Sequence, residues 1–104
     1  MRNNRLCGML GFAMRAGRLI IGAEKVFDAL KKKGRILLVV YSSGASDATK
    51  KKIASQCEFY GAPKVMADIS PEDLGNLLGK ERPTVIVGVT DEGFAKEISK
   101  AATP

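Results

Sequence analysis

The sequence contains no histidine. The side chain most often used as a general base at neutral pH is therefore missing, and so is the commonest metal ligand. Tryptophan is absent too, and aromatic residues fill only 6% of the 104 positions. Cysteine occurs twice, at Cys7 and Cys57, and neither stands in a Cys-x-x-Cys pair. That spacing argues against a zinc site or a dithiol redox motif. Both thiols fall within apolar helical patterns, where cysteine packs as a small hydrophobe, so both are expected to be buried and free. Long hydrophobic runs are lacking as well. The stretch 6–14 follows Arg2 and Arg5 as a signal peptide would, but Arg15 and Arg18 interrupt what comes next. It is also too short to span a bilayer. An amphipathic first helix and a cytoplasmic protein with no membrane partner are the expectation.

What is present points to one folded domain over 1–104. Hydrophobic residues make up 45% of the chain, enough for a core without disulfides or metal. Lysine and arginine number 17 against 11 acids, for a net charge of +6. The balance is uneven. Residues 1–52 hold 12 basic and 3 acidic groups, whereas 53–104 hold 5 basic and 8 acidic groups. Such asymmetry predicts a face for a polyanion, with nucleic acid the first choice and an anionic membrane surface the second.

Helix and strand signals alternate throughout. Asn3 or Asn4 can cap a helix running to Ala16, with Leu6, Met9, Leu10, Ala13 and Met14 on one stripe. A short strand at 19–21 leads through Gly22 into a helix over 23–33 that Gly34 stops. The apolar run 36–41 reads as a strand covered on both faces. Ser46 caps a helix over 47–60 whose buried side includes Ile53, Ala54, Cys57 and Tyr60. A brief strand at 64–66 follows. Ser70 and Pro71 then open a helix to Leu78, 84–90 forms a second buried strand, and Asp91 starts a last helix. The expected fold is α/β, a three-layer α/β/α sandwich with a central four-stranded mixed sheet. Spacing leaves the strand order open.

No catalytic cluster emerges. Glu72 with Asp73, and Asp91 with Glu92, sit where acids complement a helix dipole. Ser42, Ser43 and Ser46 have no histidine to activate them. Gly8 and Gly11 lie within a helical pattern, so the dinucleotide fingerprint fails its context. We expect a non-catalytic protein without cofactor, metal or small-molecule substrate. The triplets 31–33 and 50–52 read as solvated lysine faces. More informative is the segment 15–25, where Arg15, Arg18 and Lys25 surround a strand-to-helix junction at Gly22. A helix start with free N–H groups and a glycine turn is suited to phosphate.

These residues also carry a resemblance. Arg18 to Ile21, then Gly22, Ala23, Glu24, Lys25 and Val26, resemble the start of the RNA-binding helix in the ribosomal L7Ae/L30e superfamily. The likeness continues through 34–40, 50–60, Asp73-Leu74-Gly75, Gly79, 82–89 and 91–93. It is strongest toward the small bacterial YlxQ-like branch. The resemblance implies an α/β/α sandwich that binds structured RNA, typically a kink-turn, as part of the ribosome or another ribonucleoprotein. It implies a surface joining two places. One is Gly22, Ala23, Glu24 and Lys25. The other is the loop from Gly79 to Val85, with Lys80, Arg82, Thr84 and Val85 as the contacting residues. The chain departs from the superfamily at positions 24 and 25, where Asn then Glu is usual. Glu24 can only accept hydrogen bonds and Lys25 can only donate them. General RNA binding is therefore expected to outlast kink-turn specificity. The alternative is a protein–protein module on the same scaffold, using the acidic second half. A small enzyme with an unrecognised site ranks third.

Overall fold

A computed structural model describes residues 4–102. The elements run α1 (Asn4–Arg15), β1 (Leu19–Ile21), α2 (Ala23–Leu30), β2 (Leu38–Ser42), α3 (Asp47–Tyr60), β3 (Lys64–Ala67), α4 (Pro71–Leu77), β4 (Ile86–Val89) and α5 (Glu92–Ala102). Asn3, offered as a cap for the first helix, and Arg2, which precedes the apolar stretch 6–14, lie outside the described residues. The sheet order is β1-β4-β2-β3. β4 runs antiparallel to both of its neighbours, and β2 and β3 are parallel, so the sheet is mixed.

Helices cover both faces because the central strands are apolar on both sides. Along β2, Leu38 and Val40 point into one core with Leu6, Leu10, Leu74 and Ile98. Val39 points into the other, with Val26, Leu30 and Ile53. This is the two-residue alternation of a strand buried twice over. Consequently α1, α4 and α5 pack on one face, and α2 and α3 on the other. Each fully buried Leu or Ile contributes about 1.5–3 kcal/mol. Gly88 lets the α2 side close down, since a Cβ there would stand 2.6 Å from Ile36 Cδ1.

The local signals fix most helix starts. Ser46 Oγ accepts from the Thr49 N–H at 3.2 Å, and Ser70 Oγ accepts from the Asp73 N–H at 3.1 Å. Asp91 precedes α5 and caps it, accepting from the Phe94 N–H at 2.9 Å. Both cysteines are buried, as expected, and among the described residues they form no disulfide with each other. Burial raises the Cys57 thiol pKa, which nearby Lys64 only partly opposes, so the thiol stays protonated.

Several boundaries differ from the sequence reading. The second helix ends at Leu30, not 33, because Lys31 and Lys32 turn back to the Asp28 and Ala29 carbonyls. Gly34 belongs to the turn that follows and adopts φ 77°. β2 begins two residues later than expected and runs on to Ser42, while Ile36 packs into the core ahead of it. β4 is shorter than 84–90. Pro83 has no N–H, and the Thr84 N–H goes to the Pro71 carbonyl at 3.0 Å instead of a ladder partner. Tyr60, expected on the buried side of α3, is exposed, because α3 ends there and Gly61 reverses the chain.

Candidate nucleic-acid interface

The antiparallel register of β1 on β4 determines which segments meet. Ile21 stands opposite Val87, so the chain leaving β1 lies beside the chain entering β4. The Gly22 N–H completes this join by donating to the Ile86 carbonyl at 3.1 Å. Two segments more than fifty residues apart in sequence are thereby brought together, the first turn of α2 and the loop 79–85. Between them runs an open groove of about 580 Å³, lined by Ile21, Gly22, Ala23, Glu24, Lys25, Lys80, Arg82, Pro83, Thr84 and Val85.

Each wall has a local cause. Gly22 takes φ 106° and ψ 145°, a conformation open essentially to glycine alone. It caps α2 without a side chain, so the first-turn N–H groups of that helix receive no side-chain acceptor from it. The opposite wall is pinned at three points. The Lys80 N–H donates to the Gly75 carbonyl at 2.8 Å, Thr84 to Pro71, and the Ser42 N–H to the Val85 carbonyl at 2.8 Å. Gly75 matters further because the Arg82 carbonyl sits directly over its Cα, where any Cβ would collide.

The groove is cationic and partly apolar. Lys25, Lys80 and Arg82 are exposed, and among the described residues no ion pair engages them. Glu24 is the one acid lining the groove. Thr84 is buried, and half-buried Val85 and Ile21 with Pro83 supply the apolar surface. A second cleft continues from Ala23 and Glu24 between α2 and α3, where Lys52 Nζ lies 4.8 Å over the Phe27 ring.

Arg15 and Arg18 are not brought to this groove. Arg18 stands at the other end of β1, since Leu19 pairs with Val89. There it faces Asp91, with Nε 4.0 Å from Oδ1, and its carbonyl accepts from Thr90. Arg15 lies 4.9 Å over the Phe12 ring on α1. The single cationic corner expected from the sequence is thus two surfaces. Sequence reasoning also passed over Ile21 and Pro83 as lining and Pro71 as a buttress. A proline just ahead of an apolar strand was the available signal for a diverted loop.

Among the described residues no group of histidine, cysteine or carboxylate side chains is arranged to hold a metal. Among the same residues, no helix is long and apolar enough to cross a membrane.

Comparisons with known proteins place the chain further. Residues 5–99 match the model of the ribosomal protein L7Ae/L30e/S12e/Gadd45 family. The chain is 36% identical over 90 residues to the RNA-binding protein YlxQ of Bacillus subtilis (strain 168), covering 86% of this chain and 87% of that one. A solved protein of unknown function from Bacillus halodurans C superposes with a TM-score of 0.85 at 34% identity, covering 94% of this chain and 96% of that one. The 15.5kD RNA binding protein of Giardia lamblia superposes with a TM-score of 0.75 at 18% identity, covering 94% and 82%. This last likeness is one of fold.

Proposed function

The chain belongs to the ribosomal protein L7Ae/L30e/S12e/Gadd45 family, and from that premise we propose that it is a non-catalytic RNA-binding protein of the ribosome or another cytoplasmic ribonucleoprotein. The observation that carries the reading is the groove itself. It sets three cations that no ion pair engages among the described residues, and an apolar wall, around a helix start that has no side-chain cap. Phosphate oxygens suit Lys25, Lys80, Arg82 and the first-turn N–H groups of α2. An extruded base suits the Pro83 and Val85 side.

The ligand that uses both walls is a sharply bent stem of the kink-turn type, with a splayed nucleotide at the bend. Glu24 tempers its selectivity. Ionised, it accepts from exocyclic amines and repels phosphate, so the cations supply more of the affinity than base reading does.

The test is fluorescence anisotropy with two labelled RNAs over a salt series. One is a stem interrupted by tandem G·A pairs, the other the same stem fully paired. Both should bind with affinity that falls as salt rises, and the interrupted stem should bind more tightly. Absence of salt-dependent binding to either RNA sinks the reading. A protein partner recovered insensitively to salt, with no RNA attached, would replace it with an interaction module.

A further inference from the structure

The lysine triplet at 31–33 does not form a helical face. It lies in an exposed turn beyond the C-terminus of α2. Lys32 and Lys33 line a cavity of about 300 Å³ there, and Tyr60, Leu37 and Pro63 form part of its wall. Tyr60 is 38% exposed, and its neighbour Phe59 is 80% exposed. The two rings meet edge to face, with centroids 4.8 Å apart at 87°. Lys31 is engaged by Asp28 at 3.7 Å, but among the described residues no ion pair holds Lys32 or Lys33.

Two ammonium groups that no ion pair holds among the described residues thus border one small hollow together with the Tyr60 ring, and the exposed Phe59 ring stands against Tyr60 beside it. An acidic peptide would use the charges and leave the rings idle. An unpaired nucleic-acid strand uses both, because every base has a stacking face and every linkage a phosphate. We propose that this end of the molecule is a second RNA site, taking an unpaired strand by stacking a base on Tyr60, with Phe59 offering a second face beside it, while Lys32 and Lys33 hold its phosphates. The ligand class rests on the RNA-binding reading above; the site itself shares no residue with the groove. The eight residues of α2 span roughly 12 Å between the two. A stem in the groove can therefore lay its trailing strand along the helix to this site.

The composition supplies the probe. With two tyrosines and no tryptophan, the full chain carrying Tyr41→Phe has Tyr60 as its sole tyrosine emitter. A run of about eight uridines should quench that emission by stacking. Quenching should vanish in Lys32→Glu with Lys33→Glu, and Tyr60→Leu should weaken uridine-run binding roughly tenfold. Should reversal disturb the turn by circular dichroism, the paired Gln variants take its place. A blunt stem with tandem G·A pairs should bind and leave the emission unchanged. Three results each overturn the proposal: the uridine run binding without quenching, quenching that survives the lysine variants, or equal quenching by polyglutamate. If the stem binds and the uridine run does not, this second site alone falls. If neither RNA binds, the groove reading falls with it.

Discussion

The groove at the start of α2 and the corner between α1 and β1 hold similar side chains in opposite circumstances. In sequence, Arg15, Arg18 and Lys25 are near neighbours, while Lys80 and Arg82 are remote. In space the grouping inverts. β1 is extended, so the four steps from Arg18 to Gly22 carry the chain roughly 13 Å. The same antiparallel pairing that draws the loop 79–85 to Gly22 delivers Arg18 to Thr90 and Asp91. Proximity along a strand separates side chains; proximity across a register unites them. Among the described residues no ion pair engages the groove cations, whereas Arg15 is engaged by a ring and Arg18 by a carboxylate.

The comparison is broken most forcefully at the groove. Lys25→Glu combined with Arg82→Glu would remove two of the proposed phosphate contacts and add repulsion on both walls. RNA affinity should fall on the order of 100-fold, with the fold intact by circular dichroism, because both side chains are exposed. Retention of affinity within threefold would show that RNA engages some other face.

Next in size is Gly75→Ala, which touches no RNA. The added methyl would meet the Arg82 carbonyl, a backbone atom with no freedom to swing aside. The loop 79–85 must shift as a unit. We expect a stability loss of about 1–3 kcal/mol in urea denaturation, from overpacking at a tight site. RNA binding should weaken about tenfold, because an ångström-scale displacement spoils a contact set held on two walls. Unchanged binding in a destabilised variant would mean that the Lys80–Val85 wall does not contact RNA.

How far the molecule was legible in its sequence follows from the same contrast between local and long-range causes. Helix starts were readable because capping acts within three residues, as at Ser46 and Ser70. The three layers were readable because 36–41, and 84–90 between its terminal threonines, carry apolar side chains or glycine at successive positions, which demands cover on both faces. Strand ends were less so. Thr84 and Val85 have strand-forming side chains, but the Pro71 carbonyl, thirteen residues earlier, claims the Thr84 N–H. The end of α2 was misjudged because lysine favours helix, while the chain had to turn to seat Ile36 in the core. Of the site, the Gly22–Lys25 wall was visible in its glycine and its cation. The Lys80–Val85 wall rested on resemblance, since nothing in composition links it to position 22. Arg15 and Arg18 were grouped with the first wall by sequence distance alone.

Salt dependence counts the participating charges and so sharpens the division. If the three groove cations carry the phosphate contacts, the log–log slope of affinity against salt should be about −2 to −3. Were Arg15 and Arg18 to join them, five contacts would steepen it to about −4. The measurement separates one surface from two without any mutation.

The smallest effect is expected from Arg18→Ala. Its pairing with Asp91 is long at 4.0 Å and its side chain is 57% exposed, so the interaction is screened and contributes within about 0.5 kcal/mol. Asp91 keeps its capping bond to Phe94 through the other carboxylate oxygen, so α5 should not fray. RNA affinity should change less than about threefold and the salt slope hardly at all, because Arg18 points its charge away from the groove's end of the sheet. A loss matching that of the groove variants would require the RNA to wrap around the β1 edge and contact both ends of the strand at once. That outcome would unite the two surfaces through the ligand even though the protein keeps them apart.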